Sequence, residues 1–236
     1  MSSIDDIELL DKDWPPELSK LTVDIIEKLA IHVVNHDSLI IPLCNAMTRF
    51  WKWDRYADGF DSFMRISRRM VSENSQVFQR FETLMRNLYQ SVSQDDEAIK
   101  TVRGLMCEEV LWLLVSRRFN DGNKSGRGCI VTVRGQKIAV DGRQTIDVAG
   151  WNGIKGEFYE AKSGARRIAD TNVLDYLVAL KRTLDSCEIA NRVACVCMRE
   201  RNDMEDQLRN KGLLQTLIQS KIRLFGRGEL NDLRWA

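Results

Sequence analysis

Apolar residues recur at steps of three and four through the first hundred positions and at steps of two further on, so the chain changes character along its length. Leu18, Leu21, Ile25, Leu29 and Val33 form one stripe over residues 17–34, the mark of an amphipathic helix, and Pro15 and Pro16 precede it as suits a helix start. A second stripe, Val77, Phe81, Leu84 and Leu88, predicts a helix over 73–92, and 38–72 reads as further helix with interruptions. Asp95 and Asp96 can cap the next helix, which carries Val102, Leu105, Met106 and Val110 and ends near Phe119. The glycine-bearing run Asp121 to Gly128 breaks it.

Three β-like segments follow, at 129–134, 143–149 and 157–162, each bounded by glycines or Asn-Gly, with Asn152-Gly153 as the turn joining the last two. Residues 171–187 return to helical spacing, 192–198 form an apolar strand, and 203–220 form another helix. This order predicts an α/β fold, a mixed central sheet flanked by helices. A helical N-terminal region, 1–95, is expected to pack on a sheet-bearing core, 96–236, because no glycine- or proline-rich linker separates them.

Composition narrows the class. With 236 residues and 44% hydrophobic content the chain can bury a core, and no run of about 18 uncharged apolar residues predicts a membrane span. The opening Asp5, Asp6, Glu8, Asp11 and Asp13 is the reverse of a basic signal, so an intracellular place, cytoplasm or nucleus, is expected. Six cysteines without a CxxC pair fit a reducing compartment; Cys195 and Cys197 share a strand face, and core packing is expected rather than zinc. The net charge of +1 conceals an asymmetry: residues 1–100 hold 12 basic and 17 acidic side chains, residues 101–236 hold 23 and 17. A basic C-terminal half suits a polyanionic partner.

The chemistry centres on two strands. Alternation sets Thr145, Asp147 and Ala149 on one face of the second, with Ile146 and Val148 opposite, and sets Phe158, Glu160 and Lys162 on one face of the third. Antiparallel pairing across Asn152-Gly153 brings Asp147 beside Glu160. Two carboxylates so placed make a hard oxygen site of the kind Mg²⁺ or Mn²⁺ prefers. Lys162, about 7 Å further along the strand, can orient a water or stabilise charge developing on phosphorus.

Asp147, twelve residues, then Glu160-Ala161-Lys162 resembles the PD-(D/E)xK phosphodiesterases, the superfamily of many restriction and repair nucleases. The resemblance spans roughly residues 100–200 and departs from the family where Ile146 replaces the proline before Asp147. It implies a restriction-endonuclease-like core and metal-dependent hydrolysis of DNA or RNA phosphodiesters. Asp147 and Glu160 would hold the metal, the Ala161 carbonyl would add a ligand, and Lys162 would assist the water. The family's preceding helix supplies a further Glu; Gly104 to Leu114 resembles it, with Glu108 favoured and Glu109 the second choice. Phosphate contacts are expected from Lys155, Arg166 and Arg167, which flank the third strand. The competing expectation is a catalytically inactive nuclease-fold subunit that binds nucleic acid or protein. Cutting both strands of a duplex would favour a homodimer, and the helical region is the expected surface for a protein partner.

The remaining features read more plainly. His32 and His36 lack an HExxH context, so surface or core roles are expected. Arg49 to Tyr56 interleaves cations and aromatics, a composition read as packing before base stacking. Arg65, Arg68 and Arg69 form a local basic cluster able to touch phosphate. No Walker-type loop, GxSxG elbow or Cys/His pairing for acyl chemistry is present.

Overall fold

The computed structural model describes residues 3–10, 18–119 and 124–234, which form two compact units, Pro15–Leu113 and Met1–Trp14 with Leu114–Ala236. The division therefore falls at residue 113 rather than 95, and the first residues join the second unit because their strand pairs there.

The first unit is helical: α1 (Lys20–Val34), α2 (Ile40–Arg49), α3 (Trp53–Met70), α4 (Ser75–Ser91) and α5 (Asp96–Ser116), the last belonging to it through Leu113. The expected contribution of Pro15 and Pro16 lies outside the described residues. Side chains cap three starts: Ser19 accepts from the Thr22 amide at 3.2 Å, Asn74 from Val77 at 3.0 Å, and Asp95 from Glu97 at 2.9 Å. The buried stripe of α1 is rotated from the predicted one. Leu21 is 64% exposed, and Thr22, Ile25, Ile26, Leu29 and Val33 face inward. Burying Ile26 as well as Ile25 widens the apolar face, and each such side chain contributes about 1.5–3 kcal/mol. Two of the four aromatics of the interleaved segment pack inward and Trp51 and Trp53 are half-buried: Phe50 meets Phe63 at 5.2 Å, Tyr56 stacks on Tyr89 at 4.4 Å, and the Tyr89 hydroxyl donates to the Phe50 carbonyl at 2.9 Å.

The second unit is an α/β layer around a mixed seven-stranded sheet. Its strands are β1 (Ile7–Leu10), β2 (Lys124–Val133), β3 (Gln136–Lys137), β4 (Thr145–Trp151), β5 (Lys155–Lys162), β6 (Ala190–Cys197) and β7 (Arg223–Phe225), with α6 (Thr171–Ser186), α7 (Arg201–Asn210) and α8 (Leu214–Gln219). The order is β1-β2-β4-β5-β6-β7, with β3 beside β2; pairing is antiparallel from β1 to β5 and parallel from β5 to β7. Tight turns join β2 to β3 and β4 to β5, β1 pairs with β2 across the whole intervening helical unit, and the parallel β5–β6 pair needs the α6 crossover.

Three expectations change here. The glycine run follows the end of the helix as expected, but its Lys124–Gly128 part already belongs to β2. The expected helix at 203–220 is two helices, because α7 ends in a left-handed Gly212 (φ +70°) with the Leu213 amide donating to the Leu208 carbonyl at 2.8 Å. Strict alternation also fails in mid-sheet: Ile146 packs in the same apolar cluster as Ala149, Trp151 and Phe158, and Val148 lies outside that cluster. The cause is next door. Gly128, at φ +54°, sits in β2 opposite Asp147 and turns the strand, so that Gly126 is buried before it and Cys129, Val131 and Val133 after it.

Candidate active site

Asn152-Gly153 closes β4 onto β5 as the sequence predicts. The Asn152 side chain accepts from the amides of Ile154 (3.0 Å) and Lys155 (2.7 Å), and Gly153 takes φ +83°, which favours glycine. The register runs Ala149 opposite Phe158 and Val148 opposite Tyr159, so Asp147 and Glu160 are the next pair. They share the face on which α6 packs.

Around this pair the charges are tightly matched. Asp147 Oδ2 accepts from the Ala161 amide at 2.8 Å and from the Lys162 ammonium at 3.1 Å. The same ammonium donates to the Ala161 carbonyl at 3.0 Å and touches Glu160 Oε1. Arg143 binds the other Glu160 oxygen, Oε2. Sequence reasoning missed Arg143 as a site residue, although its signal was present: Asp141-Gly142 forms a two-residue turn, both at positive φ (46° and 81°), with reciprocal bonds between Val140 and Arg143 at 2.9 and 2.8 Å. That turn delivers the guanidinium to Glu160.

Glu160 is 0% exposed. Burial, aided by the charge of Asp147, pushes its carboxyl up to about 7, against the opposing pull of Lys162 and Arg143. Burial works to lower the Lys162 ammonium, but Asp147 and Glu160 outweigh it and hold the group above the ordinary lysine value. From α6, Tyr176 places its ring 5.7 Å from the Arg143 guanidinium carbon, and its phenol is raised chiefly by burial. The Tyr176 hydroxyl and Arg143 Nε are buried without a hydrogen-bond partner among the described residues, whereas Glu160 Oε1 is engaged by the Lys162 ammonium. Two unpartnered polar atoms in one cluster are unusual for a packed interior.

The other predicted residues stand apart from this cluster or outside its unit. Lys155 begins β5 and Lys162 ends it, seven positions away and on opposite faces, so the structure does not bring Lys155 to the site. Instead Lys155 pairs with Glu157 at 3.0 Å. Glu157, 2% exposed, also binds Arg118 and the Tyr159 hydroxyl (2.9 Å), with Arg192 at 3.8 Å. Burial raises its carboxyl, yet Arg118 and Lys155 more than reverse this and hold it below the ordinary value. Arg166 and Arg167 are exposed in the short helix Ala165–Ala169 that follows Lys162. Glu108 and Glu109 lie on α5 within the helical unit, Glu108 partly exposed and Glu109 buried, and the sheet unit assembles its cluster from its own residues. Among the described residues no group of three or more His, Cys, Asp and Glu gathers at ion-binding distance.

Two thiols border the cluster, since Cys195 and Cys197 of β6 lie opposite Glu160 and Lys162, while both imidazoles belong to the helical unit. Cys195 and Cys197 are fully buried in the sheet core, where burial raises both thiols, Cys197 to about 11. His32 Nε2 bonds the Val77 carbonyl at 2.9 Å, and burial lowers its imidazole.

No protein-family model matches the chain, and no curated protein matches it. Among solved structures it is similar to the crystal structure of protein VC1899 from Vibrio cholerae, at 16% identity and a TM-score of 0.46 over 98% of this chain and 57% of that one. The chain thus spans a little over half the length of that protein. Among the described residues no helix is long and apolar enough to cross a membrane.

Proposed function

We propose that the chain is a metal-dependent nuclease of the PD-(D/E)xK type, hydrolysing phosphodiester bonds of DNA or RNA, and that its sheet unit is a restriction-endonuclease-like core. One observation carries the reading: Asp147 Oδ2, Glu160 Oε1 and the Ala161 carbonyl all converge on a single cation, the Lys162 ammonium. Two carboxylates and a carbonyl form a donor set that fits a hard divalent cation. The buried Tyr176 hydroxyl, without a hydrogen-bond partner among the described residues, fits a site able to take a further polar group.

Mg²⁺ or Mn²⁺ bound there would polarise the phosphate and acidify a water. The protein's own groups do the rest. Arg143 fixes one oxygen of Glu160 and leaves the other for a ligand. In this reading Lys162 would withdraw from these oxygens and orient the attacking water. Arg166 and Arg167, exposed just past Lys162, are placed to meet the nucleic-acid backbone.

A second reading has an observation of its own. Arg143 and Lys162 already neutralise both carboxylates, as in an inactive nuclease-fold subunit that binds nucleic acid or protein. Cleavage of labelled single-stranded and duplex DNA and RNA with Mn²⁺, Mg²⁺ or EDTA separates the two. Cutting that needs metal and vanishes in Lys162→Ala supports the nuclease. Absence of both Mn²⁺ binding and cutting leaves the binding subunit.

A further inference from the structure

The helical unit carries a charged groove that the catalytic reading does not use. Helix α3 presents Arg65, Arg68 and Arg69 together, since side chains three and four apart stand about 5–6 Å from one another. With Arg86 of α4 they line a cavity of about 840 Å³ over Met64 and Phe78. Arg86 is neutralised between Asp61 (2.8 Å) and Glu82 (3.0 Å). The other three have no carboxylate partner among the described residues. Arg68 lies over the Phe78 ring at 5.5 Å and donates to the Val71 carbonyl at 3.3 Å. Arg65 reaches only the Ser62 hydroxyl at 3.1 Å, and Arg69 makes no side-chain hydrogen bond or ion pair among the described residues.

The background charge makes this concentration informative. The unit Pro15–Leu113 holds 12 basic and 14 acidic residues, a net of −2, yet its groove gathers four arginines against two carboxylates. Solubility asks for interspersed signs. A local positive field set in a negative unit is the complement of an anion. Guanidinium forks match phosphate oxygens two at a time, and the cavity volume is that of a small-molecule site rather than a single ion's. The Arg68 guanidinium held over the Phe78 ring supplies a flat cation against which a base can lie.

We propose that this groove is a nucleoside-phosphate site in which Arg65, Arg68 and Arg69 hold the phosphates of a free nucleotide or of a single strand. It is built by the helical unit alone and does not depend on the Asp147–Glu160 chemistry.

Equilibrium binding to the full chain in EDTA tests it, because chelation silences any metal-dependent cutting and leaves the groove intact. The probes are a fluorescein-labelled nucleoside triphosphate and a labelled 12-nucleotide single strand, with unlabelled pyrophosphate as competitor. Arg65→Ser/Arg69→Ser should weaken binding at least tenfold, and for the strand lower the slope of log affinity against log salt by about 1.4, the value for two lost phosphate contacts. Arg65→Lys/Arg69→Lys should recover part of it. Both positions are exposed, so the variants should melt with the wild type, and the lysine pair reads the same contacts with charge retained. Triphosphate binding displaced by pyrophosphate identifies a free nucleotide, and binding of the strand alone identifies nucleic acid. The proposal is overturned if neither probe binds, or if the serine variant binds as well as wild type.

Discussion

The Lys162 ammonium stands 3.1 Å from Asp147 Oδ2 and 3.0 Å from the Ala161 carbonyl oxygen, and it also touches Glu160 Oε1. The side chain read as the assisting cation therefore occupies the point on which the proposed ligand oxygens converge. A divalent cation and this ammonium would compete for the same oxygens, and the catalytic reading requires Lys162 to withdraw.

Lys162→Met makes that competition measurable. Removing one partner of a buried ion pair leaves an uncompensated charge and costs about 3–5 kcal/mol. The variant should lose about that much in urea denaturation with EDTA at neutral pH, and Mn²⁺ should restore more stability to it than it adds to the wild type. Equal Mn²⁺ effects on the two proteins, or none on either, would remove Asp147 and Glu160 as metal ligands.

Tyr176→Phe separates a working hydroxyl from a packing one. The phenol is fully buried with no hydrogen-bond partner among the described residues, so deleting it removes an unsatisfied group and keeps the ring over Arg143. Stability should hold or rise by about 1 kcal/mol. If the hydroxyl meets substrate or a water of the site, cleavage should fall about tenfold, the equivalent of about 1.4 kcal/mol. Unchanged cleavage would assign the ring to packing alone.

How much of this was legible depends on whether the signal was local. The D…ExK spacing and the Asn152-Gly153 turn place Asp147 beside Glu160 without further information, because register follows from the turn. The helix periods likewise mark α1, α4 and α6, and Ile25, Leu29 and Val33 of the α1 stripe bury as expected, although Leu21 is exposed and Ile26 joins the face instead. Strand β1 was hidden, since Ile7–Leu10 is short, sits among acids, and earns its place only by pairing with β2. The turn of β2 at Gly128 needed a backbone angle that no periodicity reports. Lys155 was placed at the site by nearness in sequence, but an eight-residue strand separates its ends by about 23 Å. Tyr176 reaches the site only through the packing of α6 on the sheet.

Gly142→Ala tests how Arg143 is delivered. Gly142 holds φ +81°, where an L side chain is strained. The substitution should cost about 1 kcal/mol or more and loosen the turn. With Arg143 displaced, Glu160 loses its main guanidinium partner, so cleavage should fall further than the stability change accounts for. Arg143→Lys should reproduce the activity loss with the turn unstrained, since a point charge cannot copy the guanidinium's geometry. Full activity in both variants would make Arg143 dispensable.

Glu157 offers a pH test that leaves the proposed centre untouched. Its carboxyl is held below the ordinary glutamate value of 4.5, with burial opposing and Arg118 and Lys155 prevailing. A carboxyl depressed by folding stabilises the protein above its unfolded value, and that contribution disappears as pH falls from about 4.5 through the folded value. Glu157→Gln leaves Arg118, Lys155 and Arg192 facing a neutral amide and should cost about 3 kcal/mol at pH 7. The gap between wild type and variant should then narrow as denaturation is repeated at pH 4 and pH 3. A gap that stays constant over that range would mean Glu157 contributes through shape and hydrogen bonding, with its charge giving no net stabilisation.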